Sequence, residues 1–135
     1  MKLKTYSDGG ARGNPGPAAI GVVVYSETGS VLFQVGEYIG ETTNNQAEYK
    51  ALIVAMEKAL GFGGTHVTCY LDSELVVKQM QGKYKIREEG LQALATQALK
   101  MIKNFSSVEF VHVRREKNKL ADKLVNEALD NLATV

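Results

Sequence analysis

The chain has 135 residues, 44% hydrophobic and 23% charged, which fits a single globular domain over 1–135 and excludes a disordered or low-complexity chain. Sixteen Lys and Arg against 15 Asp and Glu leave a net charge of +1, so any binding of nucleic acid must come from a local basic strip and not from a global field. The single cysteine, Cys69, excludes an internal disulfide and suits a reducing cytoplasm, and no apolar run approaches the ~20 residues of a membrane helix.

The start, Met1-Lys2-Leu3-Lys4-Thr5, does not read as a secretory leader. Lys2–Asp8 reads as a first strand, followed by the breaker-rich turn Gly13-Asn14-Pro15-Gly16-Pro17. Ala18–Ser26 is the second strand and Val31–Ile39 the third. Short connections between them favour an antiparallel meander. The period then changes. Residues 44–60 form a helix with Leu52, Ala55, Met56 and Ala59 on its buried stripe. At its start both Thr43 with Gln46 and Asn45 with Glu48 have capping-box spacing. His66–Asp72 is a fourth strand, with Cys69 as a small buried hydrophobe inside it. Ser73 caps a short helix over Glu74–Gln81. A third helix covers 90–104, with Leu91, Leu94, Ala95, Ala98, Leu99 and Ile102 inward. Ser107–Val113 is the fifth strand and Leu120–Leu132 the last helix. The order β-β-β-α-β-α-α-β-α predicts an α/β fold: a mixed five-stranded sheet with helices packed on it.

Four acidic residues stand apart from those on exposed faces. Asp8 closes the first strand, where Asp is disfavoured; a turn-starting Asp before Gly9-Gly10 is the competing reading. Asp72 ends the fourth strand, although Asp is also a good helix cap. Glu48 falls on the apolar stripe of its helix, where a carboxylate is costly unless paired or metal-bound; the capping box with Asn45 is the competing reading. Asp122 lies near the start of the last helix, a place the helix dipole also favours. In an open α/β sheet, ligands gather at the carboxyl ends of parallel strands. Acids crowded there raise one another's pKa unless cations hold them, and hard oxygen donors suit Mg²⁺. Gly10, Gly13 and Gly16 space like a phosphate cradle but open into a strand, so the dinucleotide motif lacks its context.

Four segments then resemble, in order, the motifs of type 1 ribonuclease H: Ser7-Asp8-Gly9-Gly10-Ala11-Arg12-Gly13-Asn14-Pro15-Gly16, Thr43-Asn44-Asn45-Gln46-Ala47-Glu48, Leu71-Asp72-Ser73 and Asn118-Lys119-Leu120-Ala121-Asp122. The resemblance covers about Leu3 to Leu132. It implies the ribonuclease H-like fold, with strand order 3-2-1-4-5 and helices on both faces. It implies that Asp8, Glu48, Asp72 and Asp122 bind two Mg²⁺, or Mn²⁺ in their place, and hydrolyse the RNA strand of an RNA/DNA hybrid to 5′-phosphate and 3′-hydroxyl ends. Substrate would meet Gly10, Ala11, Arg12, Asn14, Asn44 and Asn45 in the minor groove, where 2′-hydroxyls distinguish RNA, with Thr43 near a DNA phosphate. Arg115 takes the place of a loop His that some members use for product release. The long basic handle of some relatives is missing; Gly82-Lys83-Tyr84-Lys85-Ile86-Arg87 stands there instead.

The expected molecule is therefore a monomeric, cytoplasmic, metal-dependent nuclease with an RNA/DNA hybrid as partner and no membrane association. The alternatives are a related nuclease with another duplex substrate, such as double-stranded RNA, a non-catalytic nucleic-acid-binding module, or a structural domain whose four acids serve only as caps and turn residues.

Overall fold

Alternation along a single central strand sets the architecture of the computed structural model, which describes residues 1–133. In β1 (Lys2–Ala11), Leu3, Thr5 and Ser7 are buried against one layer of helices, while Lys4 and Tyr6 face the other side. β1 pairs antiparallel with β2 (Gly16–Ser26) and parallel with β4 (His66–Leu71). β3 (Val31–Thr42) adds outside β2, and β5 (Ser107–His112) outside β4. The sheet order is β3-β2-β1-β4-β5.

The helices divide between the faces. α1 (Asn44–Gly61), α2 (Glu74–Met80) and α3 (Glu89–Ile102) enclose the main core with Ile20, Val22, Val24, Val67, Cys69 and Leu71. The expected α1 stripe, Leu52, Ala55, Met56 and Ala59, is wholly buried there. α4 (Lys119–Ala133) packs on the opposite face, where Val125 and Leu129 meet Ala19. Its seat is bare backbone. Gly21 and Gly36 are paired in register beside Asp8, and a Cβ on them would lie 2.1 Å from the Ala121 carbonyl oxygen and 2.5 Å from that of Leu124. Among the described residues no helix is long and apolar enough to cross a membrane.

Local boundaries differ from the sequence reading in ways that tertiary pairing explains. β1 continues past Asp8 to Ala11, and β2 begins at Gly16, inside the expected turn. The Arg12 N–H donates to the Pro17 carbonyl at 2.9 Å, so the ladder recruits the proline through its acceptor. β3 likewise runs on to Thr42. β5 stops at His112, although the Val113 N–H still donates to Leu71 O at 2.9 Å. A 3-10 turn, Arg115–Lys117, precedes α4. Within α3, Leu91, Ala95 and Ala98 are buried, but Leu99 is 43% exposed. It stands about 100° around the helix from Ala98, beyond the width of the stripe.

Candidate active site

Asp8 and Asp72 arrive together because their strands are parallel neighbours. Ser7 pairs with Leu71, and the next residue on each strand is the aspartate. Asp8 therefore sits mid-strand and is 7% exposed, which sets aside the turn-starting role. Asp72 does not cap α2; Ser73 does, its hydroxyl accepting the Val76 N–H at 3.3 Å. Glu48 comes from the helix layer. α1 is capped by Thr43, whose Oγ1 accepts the Gln46 N–H at 3.2 Å, so the capping-box reading of Glu48 falls away. Glu48 Oε1 instead accepts the Gly9 N–H of β1 at 2.9 Å, and its Oε2 is buried without a hydrogen-bond partner among the described residues.

Asp8, Glu48 and Asp72 each offer an oxygen within 4.8 Å of the other two. Asp122 lies outside that trio but on the same cleft, its Oδ1 3.2 Å from Arg115 Nη2. Burial pushes the Asp8 carboxyl from 3.8 up to about 7; contact with Glu48 works against this, and the charges of Asp72 and Asp122 add to it. Burial, and then the facing Asp8, hold Glu48 well above the ordinary carboxylate range. Asp72 is raised too, again chiefly by burial, while its hydrogen bonds with Asn118 and Asp8 pull the other way. Three clustered acids whose carboxyls are all pushed up, Asp8 and Glu48 buried and Asp72 half-buried, one with an orphaned oxygen, form a hard-oxygen donor set that could hold a divalent cation.

The linkage has a definite sign. A carboxyl raised by folding keeps a proton that the unfolded chain has released, so its effect is to lower stability as pH rises from about 4 to about 7. In chelator, the melting temperature of the wild type relative to Asp8→Asn should fall across this window and level off above it. Mg²⁺ should restore it at the high end, because a cation that binds only the folded state raises the midpoint. Melting curves of the two proteins that stay parallel from pH 4 to 8 would exclude the shift.

The remaining expected residues lie around these acids. The cleft, of about 450 Å³, is lined by Gly10, Ala11, Arg12, Asn44, Asn45 and Arg115 as well as the four acids. Asn44 Oδ1 accepts the Ala11 N–H at 2.7 Å, and Asn14 Oδ1 accepts the Asn44 N–H at 3.0 Å. Both side chains thus turn their amide oxygens to the protein and leave their NH₂ groups as donors for a ligand. Asn14 and Thr43 do not line the cleft but fix its wall, Asn14 through Asn44 and Thr43 as the α1 cap. Arg12 is tied to α4 by a 2.6 Å ion pair with Asp130.

Asn118, which the sequence marks only as the first residue of the fourth motif and gives no role, is a working part of the site. It is 1% exposed, and its Nδ2 donates to the Ser7 carbonyl at 2.9 Å. Its own carbonyl accepts the Asp122 N–H at 3.1 Å, which joins β1, Asp72 and the start of α4 in one linkage. An Asn just before a helix reads as an ordinary cap, so nothing local marks it out.

Comparison with known proteins gives consistent relatives. A family model described as reverse transcriptase-like matches residues 6–128. Ribonuclease HI of Halobacterium salinarum is 42% identical over 130 residues, covering 96% of this chain and 65% of its own. A bifunctional protein of Mycobacterium tuberculosis is 40% identical over 134 residues, covering 98% of this chain and 37% of its own. The chain thus spans less than two thirds of these curated relatives. Among solved structures, the crystal structure of the Halobacterium salinarum RNase H1 superposes with a TM-score of 0.94, covering 97% of this chain and 99% of that one. LC11-RNase H1 in complex with an RNA/DNA hybrid is 48% identical, with a TM-score of 0.92, and covers 97% of this chain and 99% of that one.

Proposed function

Since the chain belongs to the ribonuclease H family, we propose that it is an endoribonuclease that hydrolyses the RNA strand of an RNA/DNA hybrid, leaving 5′-phosphate and 3′-hydroxyl ends. The observation that carries this reading is the meeting of Asp8, Glu48 and Asp72, from two strand ends and a helix, with their oxygens within 4.8 Å. We take residues 1–135 as one such domain, acting as a monomer in the cytoplasm; the single cysteine, Cys69, is buried and free, so the fold uses no disulfide.

In this reading Asp8, Glu48, Asp72 and Asp122 hold two Mg²⁺, with Mn²⁺ as a substitute. Bound there, such a pair supplies activation of water and neutralisation of charge on the leaving oxygen. The chain's own residues do the positioning. The Gly9 N–H takes one oxygen of Glu48 and leaves the buried second oxygen without a hydrogen-bond partner among the described residues, free to bind a cation. Asn118 holds Asp72 and the start of α4. Arg115, exposed and paired with Asp122, can leave that carboxylate for a product phosphate. The NH₂ groups of Asn14 and Asn44, with Asn45 and the backbone of Gly10, Ala11 and Arg12, donate toward the minor groove, where a 2′-hydroxyl accepts. Thr43 Oγ1 keeps a proton to donate to a DNA phosphate. A neighbour solved with an RNA/DNA hybrid supports this substrate.

Labelled RNA/DNA, RNA/RNA and DNA/DNA duplexes of one sequence, incubated with Mg²⁺, Mn²⁺ or chelator, provide the test. Cleavage confined to the RNA strand of the hybrid and lost in chelator is expected. Equal cutting of RNA/RNA would move the chain to a double-stranded-RNA nuclease, and inertness on all three would leave a binding module.

A further inference from the structure

On the face of the sheet that carries α4, three tyrosines gather beside three lysines. Tyr6 and Tyr70 are paired in register, and their rings stack 4.6 Å apart at 11°. Tyr25 meets Tyr6 edge-on at 5.5 Å and 86°. Next to this cluster a cavity of about 340 Å³ opens between β1, β2 and residues 117–121. The charged residues lining it are Lys4, Lys117 and Lys119, and among the described residues no carboxylate lines it. In a chain with 16 cationic and 15 acidic residues, that is a marked local excess.

The cavity backs onto the acidic cleft. Asn118 lines the cavity, while its Nδ2 is bound to Ser7 O, one residue before Asp8. One side of this partition is built to hold cations; the other offers ammonium groups and aromatic surface. Aromatic rings stack bases of any sequence, and lysines neutralise phosphates. We propose that this cavity binds one nucleotide unit of an unpaired strand, with the base against Tyr6 and Tyr25 and the phosphates held by Lys4, Lys117 and Lys119. Stacking and ammonium contacts read neither base identity nor the 2′-hydroxyl, so DNA and RNA ends are both accepted. Binding here needs neither metal nor cleavage, and it stands or falls separately from the hydrolytic function.

The test uses the whole chain in chelator with a fluorescein-labelled single-stranded oligothymidylate, read by anisotropy and by amide shifts in nitrogen-15 spectra. Binding should weaken with salt at a slope of about −2 in log K against log salt, three lysines contributing about 0.7 each. Shifts should centre on Lys4, Tyr25 and Lys117. Joint Lys4→Glu, Lys117→Glu and Lys119→Glu substitution, at exposed positions, should remove binding while leaving the circular dichroism melt in place. Tyr25→Leu should weaken it about fivefold or more. Deoxythymidine monophosphate is the second arm: the same shifts at comparable affinity would assign the cavity to free nucleotides, and much weaker shifts to strand ends. Absence of binding by the wild type, or shifts centred on Asn44 and Asn45, would overturn the proposal.

Discussion

Asp8→Asn is expected to abolish hybrid cleavage in Mg²⁺ and, in chelator at neutral pH, to raise the melting temperature. The substitution keeps the shape of the side chain and removes one negative charge from a trio whose oxygens lie within 4.8 Å of one another. The loss in rate should be about a thousandfold or more, because charge neutralisation at the scissile phosphate contributes several kcal/mol and each 1.4 kcal/mol is about a factor of ten. The gain in stability follows from the same charge. Folding forces Asp8 into a buried place beside Asp72 and Asp122, and that strain disappears with the carboxylate. Glu109→Gln, an identical change in charge at an exposed position on β5, should alter neither property. Single-turnover cleavage and melting of the three proteins decide the matter. An Asp8→Asn protein that still cuts within about tenfold of wild type would remove Asp8 from the reaction.

Gly9→Ala should damage both stability and activity, because its methyl group meets the backbone of the helix that carries Glu48. A Cβ there would lie 2.2 Å from the Ala47 carbonyl carbon, 2.3 Å from its oxygen and 2.5 Å from the Glu48 nitrogen. These are main-chain atoms of α1, so no rotamer change relieves them, and strand and helix must part. The cost should be about 3 kcal/mol or more, at the upper end for overpacking, which is a fall in melting temperature of roughly 10 °C for a domain of this size. The displacement also lengthens the bond from the Gly9 N–H to Glu48 Oε1 and draws Glu48 away from Asp8. Cleavage should therefore fall even at temperatures where the variant is fully folded. Gly10→Ala is the control for stability. Its Cβ would meet only Val125 Cγ1 at 3.5 Å, an ordinary contact, so its melting temperature should stay within a few degrees of wild type. Equal melting of the two variants would show that α1 does not rest on β1 through Gly9.

What was legible in the sequence depended on whether a residue's signal was local. Glu48 announced itself by lying on an apolar stripe where no carboxylate should be, and it is buried. Asp8 and Asp72 could be placed at one edge of the sheet because each reads as closing its strand, and ligands gather at the carboxyl ends of parallel strands; the structure makes those strands parallel neighbours. The strand order came from the likeness of four motifs to one family; periodicity alone leaves it open. Strand ends were hidden for a physical reason. Gly16 and Pro17 signal a turn when read locally, but the Arg12 N–H across the hairpin and the neighbouring β3 extend the ladder through them. Leu99 looked like core because helical stripes have soft edges. The bond from Asn118 to Ser7 and the pairing of Arg12 with Asp130 were invisible, since the partners lie 111 and 118 residues apart in the chain.

The glycine seat of α4 has a bearing on how this molecule can change. Steric conflicts inside proteins are usually relieved by trimming the opposing side chain, and a search for suppressors would normally find such changes. At Gly21 and Gly36 the opposing atoms are peptide oxygens of Ala121 and Leu124, which every amino acid shares. No substitution on the helix can make room there. Selection for revertants of a bulkier residue at either glycine should therefore return the glycine codon and few second-site changes, and the height at which Asp122 approaches the other acids is inherited from the backbone.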